Sequence, residues 1–173
     1  GENLSADGST GNQNTLIGMT VGSQITSGDQ NVAIGQENLS GGQTATGNTA
    51  VGYRALKAVT TGVGNIGIGR TAGDALQSGD YNIAIGQGSD LGSTTAEHRI
   101  VIGHDAAATA DNQTVIGGST QTQVVFGGDA LISGSAKSTG SFGKLLGDGS
   151  EITNIVGSLS LIHISEPTRL HGI

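Results

Sequence analysis

The hydrophobic positions of this chain come in short bursts, each opened by a polar residue and closed by glycine. "NTLIG" (Asn14 to Gly18), "NVAIG" (Asn31 to Gly35), "NTAVG" (Asn48 to Gly52), "NIGIG" (Asn65 to Gly69) and "NIAIG" (Asn82 to Gly86) begin 17 residues apart, and "RIVIG" (Arg99 to Gly103) is a further copy with Arg in place of Asn. The closing glycines fall at 18, 35, 52, 69, 86 and 103, in five successive steps of 17. The interval then shortens, with "QTVIG" ending at Gly117, 14 residues on, and "QVVFG" at Gly127, a further 10 on. A short fixed period predicts a solenoid in which every turn repeats one small unit.

Within each burst the alternation and the β-branched residues predict a strand. The residue before glycine is Ile17, Ile34, Val51, Ile68, Ile85, Ile102, Ile116 or Phe126. Two positions earlier, on the same side of a strand, stand Thr15, Val32, Thr49, Ile66, Ile83, Ile100, Thr114 and Val124. Their bulk predicts that this side points into the coil. Between them lie Leu16, Ala33, Ala50, Gly67, Ala84, Val101, Val115 and Val125, never charged and small in the middle copies. That small row is expected outside, against another chain. Stacking the turns in register would build Asn14, Asn31, Asn48, Asn65 and Asn82 into an amide ladder. Glycine would then serve a turn at positive φ, or a neighbouring backbone too close for a Cβ. Further glycines at 28, 62 and 79 keep multiples of 17, and Leu39, Leu56 and Leu76 are expected to fill the interior from the returning side. "YRALKAV" (Tyr53 to Val59) is too short to stand alone as a helix.

Composition narrows the picture. In 173 residues there are 32 Gly, two Phe, two Tyr and no Trp, so a compact globular core has too few large side chains and the core must be thin and spread along the chain. The net charge of −7 arises from 14 acidic and 7 basic residues without runs, so neither nucleic acid nor an anionic membrane surface is the expected partner. Cysteine is absent, which excludes disulfides and thiolate metal sites. No apolar run approaches the roughly 18 residues that a membrane-spanning helix needs, so no membrane insertion is expected of this segment. The first residue is Gly1 rather than Met, and upstream sequence is expected to be missing.

Repeats of the form G-x-x-N-x-A-I-G, carried by "GDQNVAIG" (Gly28 to Gly35), "GNTAVG" (Gly47 to Gly52) and "GDYNIAIG" (Gly79 to Gly86), resemble the head repeats of trimeric autotransporter adhesins. They resemble still more closely the 17-residue arrays of phage tail-fibre proteins, over residues 11–127. The resemblance implies a left-handed parallel β-roll in which three chains associate into a fibre. "ALISGSAKSTGSFGKLLGDGSEITNI" (Ala130 to Ile155) is similar to the thin shaft that in tail fibres precedes an endosialidase-type chaperone, which does not follow here. "LSLIHISEPTR" (Leu159 to Arg169) resembles the translation of a sequencing adapter, a scar to be set aside from fold reasoning.

The expected fold is therefore all-β, a parallel β-roll or β-solenoid of about six to eight short coils, followed by a thin extended shaft. Residues 1–10 read as an upstream remnant, 11–127 as the roll, 128–157 as shaft or connector and 158–173 as a non-native tail. The expected function is that of a structural fibre or adhesin segment of a phage tail fibre mediating host attachment, located on the virion, with a homotrimer and a bacterial surface receptor, a glycan among the options, as partners. The alternatives are the head of a bacterial cell-surface autotransporter adhesin and, further off, an ice-binding solenoid, for which Thr44 and Thr46 supply hydroxyls without the required 17-residue recurrence.

Candidate chemistry is sparse. "GVGNIG" (Gly62 to Gly67) satisfies G-x-G-x-x-G, yet no helix is predicted after it to receive a phosphate, and its glycines belong to the array. The pairs Gly28-Asp29 and Gly79-Asp80 lack the nonapeptide of calcium-binding β-rolls. "EHRIVIGHD" (Glu97 to Asp105) places His98 and His104 near Glu97 and Asp105, a set capable of metal ligation or acid-base work, against the simpler reading of a solvated loop edge. Sequons occur at Asn3, Asn38 and Asn112. No nucleophile, base and orienting group come together in the sequence, so catalytic, cofactor-binding and metal residues are all expected to be none.

Overall fold

The computed structural model describes residues 11–42, 44–121 and 123–124. They form a β-solenoid of about six turns whose seven strands make a single parallel sheet in chain order. The strands are β1 (Thr15–Met19), β2 (Val32–Gln36), β3 (Thr49–Tyr53), β4 (Ile66–Ile68), β5 (Ile83–Ile85), β6 (Ile100–Ile102) and β7 (Thr114–Ile116). Each pairs with its successor in the register set by the period, so that Ile34 lies beside Val51, Val51 beside Ile68 and Ile68 beside Ile85. "QVVFG" beyond Val124, the shaft and the tail at 158–173 lie outside the described residues.

The interior is the reverse of the sequence expectation. Ala33, Ala50, Ala84 and Val101 are fully buried, Gly67 is buried with them, and the bulky row faces outward, with Ile17 56% and Ile68 39% exposed. Coil width is the reason. The returning wall sends Leu39, Leu56, Leu76 and Leu91 across the interior to meet the strand wall, and all four are buried. At β4 a Cβ added to Gly67 would lie 2.7 Å from Leu56 Cγ, so the space between the walls there is filled by Leu56 and leaves no room for a strand side chain. In β2 to β5 the strand's contribution is therefore alanine or glycine, whereas β6 supplies Val101.

The same volume rule runs through the returning side. In four successive turns a β-turn is closed by the backbone bonds Ile25 to Gly22, Gly42 to Leu39, Val59 to Leu56 and Leu76 to Gly73. The pairs Gly22/Ile25, Leu39/Gly42 and Gly73/Leu76 each combine one large side chain with one glycine. Leu56/Val59 is the exception, and it falls on the turn whose strand position is Gly67. Each turn thus fills the same narrow volume by a different division of it.

Asparagine holds the turns in register, as the period predicts. Asn31, Asn48, Asn65 and Asn82 are fully buried. Each accepts, through Oδ1, the backbone N–H of the next ladder residue, at 2.9 Å for Asn31, Asn48 and Asn65. Each donates, through Nδ2, to a backbone carbonyl one corner away, Asn48 to Gly62 and Asn65 to Gly79 at 2.8 Å. Among the described residues no buried side-chain nitrogen or oxygen lacks a partner. Arg99 ends the ladder. Its N–H donates to Asn82 Oδ1 at 3.0 Å, while Nε reaches Asp111 Oδ1 at 2.8 Å and Nη1 reaches the Leu91 carbonyl at 2.6 Å. This longer side chain spans the place where the repeat shortens, Ile100 pairing with Thr114.

The closing glycines also behave as expected. Gly18, Gly35, Gly52, Gly69, Gly86 and Gly103 have φ between 128° and 140°, a region that side chains avoid. At Gly52 a Cβ would stand 2.7 Å from the Gly69 carbonyl oxygen, because the turns touch backbone to backbone there.

Candidate association surface

With the small row inside, each strand turns two β-branched residues outward. One column is Thr15, Val32, Thr49, Ile66, Ile83, Ile100 and Thr114; the other is Ile17, Ile34, Val51, Ile68, Ile85, Ile102 and Ile116. Every member is at least partly exposed, and no charged residue interrupts either column. Seven strands at about 4.8 Å spacing make a strip roughly 30 Å long and about 10 Å wide, a few hundred Å², the size of the largest apolar patch on a typical soluble monomer, which is often a functional one. The sheet that carries it is held in one parallel register by its ladder bonds.

Polar columns border the strip. On one side run Gln36, Tyr53, Arg70, Gln87 and His104, stacked by the backbone bonds of Thr71 to Tyr53, Gly88 to Arg70 and Asp105 to Gln87. Next to them Glu37 holds Arg54 at 2.8 Å and Lys57 at 3.4 Å. The hydrogen bond from Arg54 is the main cause that holds the Glu37 carboxyl below its ordinary pKa and raises that of Arg54. At the other border Asp111 is held below the usual carboxylate range by the Glu97 N–H first and by Arg99 second. Arg99 is the buried member of that pair.

The other residues singled out in the sequence have local roles. His98 lies against Tyr81, ring centroids 5.4 Å apart, whereas His104 contacts Asp105 at 3.5 Å with both side chains exposed. Among the described residues no group of three or more His, Asp or Glu is placed to hold a metal ion. Asp29 Oδ1 accepts the Asn12 N–H and Asp80 Oδ1 accepts the Val63 N–H, so these carboxylates tie neighbouring turns together. Gly62, Gly64 and Gly67 sit at a corner and in β4, with no helix after them. The Thr46 hydroxyl is a partner of the Asp29 N–H at 3.4 Å and the Thr44 carbonyl at 3.3 Å. Asn38 is fully buried, Asn112 is exposed at a left-handed turn, and Asn3 is outside the described residues. Among the described residues no helix is long and apolar enough to cross a membrane.

The chain matches no protein-family model, no curated protein and no solved structure.

Sequence reasoning found both outward columns but assigned them to the core. The signal that places them was present: glycine at 67 lies opposite Leu56 and Val59, the one of the four β-turns above in which both paired positions are large.

Proposed function

We propose that this chain is a rod segment of a homotrimeric surface fibre, a phage tail fibre that attaches the virion to a bacterial surface, with the outward β-branched strip as the contact between chains. The observation that carries the reading is that strip: a continuous, uncharged, two-column apolar face on a molecule whose core is already complete without it. Three such strips meeting on a common axis bury apolar area from each chain and no ionised group, which avoids the desolvation cost of buried charge. The same 17-residue array that resembles tail-fibre repeats supplies the strip. Hydroxyls occur in it only at Thr15, Thr49 and Thr114, so it lacks the ranked lattice that an ice-binding face requires.

Attachment is tested by labelling the purified chain and measuring its adsorption to a panel of bacterial isolates. Saturable adsorption to some isolates, competed by unlabelled chain, supports the reading. Uniform failure to adsorb by a chain that is folded and trimeric removes the receptor-contacting part of it.

A further inference from the structure

One corner of the roll carries a feature that the fibre role does not use. The residue before each ladder position has a left-handed backbone in every turn, with φ of 60° at Gln13, 58° at Gln30, 69° at Gly47, 66° at Gly64, 56° at Tyr81, 54° at His98 and 60° at Asn112. Five side chains occupy this column, so the backbone does not itself demand glycine at 47 and 64. At Gly64 the requirement comes from Tyr81, since an added Cβ would lie 2.9 Å from Cδ1 and 3.1 Å from Cε1 of its ring. The phenol is laid across the bare glycine. At Gly47 nothing takes up the space, the nearest atom to an added Cβ being 3.8 Å away. The column is thus interrupted by a notch between Gln30 and the Tyr81 ring, whose Cα positions are three strand spacings, about 14 Å, apart.

We infer that this notch binds one uncharged pyranose ring of a bacterial surface glycan, with Tyr81 as the stacking platform; the inference rests on the attachment reading above. Tyr81 is 56% exposed, yet it is held by Gly64 beneath and by His98 at 5.4 Å with a tilt of 34°. A ring that is fixed before binding loses little entropy on contact. The electron-rich face of a phenol attracts the partly positive C–H groups on the face of a pyranose. A hydroxyl acceptor stands beside it. Asp80 uses Oδ1 for the Val63 N–H at 2.7 Å, which fixes the carboxylate next to Gly64 and leaves its second oxygen to receive sugar hydroxyls. Gln30, at the far side of the notch, donates Nε2 to Gln13 Oε1 at 3.2 Å, so its amide is turned toward the preceding turn and leaves the space over Gly47 open. A carboxylate beside the platform, on a chain of net charge −7, favours a neutral polyol over a carboxylated sugar.

The test is saturation-transfer NMR on the full chain with the methyl pyranosides of glucose, galactose and mannose. Saturable transfer to at least one of them is expected. Gly47→Gln copies the residue that the roll already carries at Gln30 with nearly the same φ, so it should leave melting unchanged while weakening binding about tenfold or more; Tyr81→Ala should do the same to binding, and Tyr81→Phe should retain it. No transfer from any of the three, or binding undiminished in Gly47→Gln, overturns the site. Adsorption to cells separates this from the attachment reading. A parent chain and a Gly47→Gln variant that adsorb equally refute the notch alone, whereas pyranoside binding at Tyr81 by a chain that adsorbs to no isolate refutes attachment and keeps the notch.

Discussion

Replacing Asn65 by alanine removes one rung from the middle of the ladder, and its cost follows from the bonds that the rung makes. Asn65 Oδ1 accepts the Asn82 N–H and the Asn82 Nδ2, both at 2.9 Å, and Asn65 Nδ2 donates to the Gly79 carbonyl and to Asn48 Oδ1. Two of the four partners keep another bond: Asn82 Nδ2 still reaches Ala96, and Asn48 Oδ1 still accepts the backbone N–H of residue 65. The Asn82 N–H and the Gly79 carbonyl lose theirs, and both residues are buried. Each orphaned buried group costs about 1–3 kcal/mol, so the substitution should destabilise the roll by about 2–6 kcal/mol. Asn14→Ala frees the equivalent pair, the Asn31 N–H and the Gly28 carbonyl, on residues that are buried as well, so its cost should fall in the same range. Equilibrium denaturation at one protein concentration, with hydrogen exchange at the Asn82 amide as the local readout, measures both. Asn65→Asp adds a sign test. A carboxylate there would face two acceptors, its folded pKa would be raised, and the variant's stability should fall as pH rises from about 4. A loss below about 1 kcal/mol for either variant would refute the ladder as the element that sets register.

Gly52→Ala should cost about 1–3 kcal/mol in backbone strain at φ 130°, with a clash against the Gly69 carbonyl in addition, and thermal melting reads it directly. Asp111→Asn should loosen the last turns selectively, seen as faster exchange at the Ile100 and Gly117 amides, because the buried Arg99 guanidinium loses its carboxylate. For the unaltered chain, the depressed pKa of Asp111 means that its contribution is complete above the ordinary carboxylate value and is lost as pH falls through the lower folded value, so the exchange of the Ile100 and Gly117 amides should quicken over that range.

The period was legible because one coil cannot bury its own apolar face, and the regular return of Asn and Gly reports stacking rather than composition. Strand positions, parallel register, the Asn ladder and the inward Leu39, Leu56 and Leu76 all follow from it. The direction of the side chains did not follow. Alternation defines two faces and does not say which is inside, and bulk is a poor guide when the coil is one side chain wide. Ala33, Ala50 and Ala84 read as a contact surface only while the space opposite them is ignored. The Tyr81 notch was hidden for a different reason: Gly47 and Gly64 look like ordinary turn glycines until Gln30, Tyr81 and His98 are seen to share their φ. Arg99 showed in the sequence only as a broken repeat, since its partner Asp111 lies on the shortened turn.

Sedimentation equilibrium of the full chain, beside an Ile68→Glu, Ile85→Glu double variant, bears most directly on the outward strip. The unaltered chain should sediment at three times its 17.1 kDa mass, and the double variant as a single chain with its β-sheet circular dichroism retained. Ala84→Glu, which forces a carboxylate into a fully buried position, should instead fail to fold. A stable, soluble monomer for the unaltered chain, or a trimer that survives two glutamates in the strip, would contradict the assignment of this face to chain association.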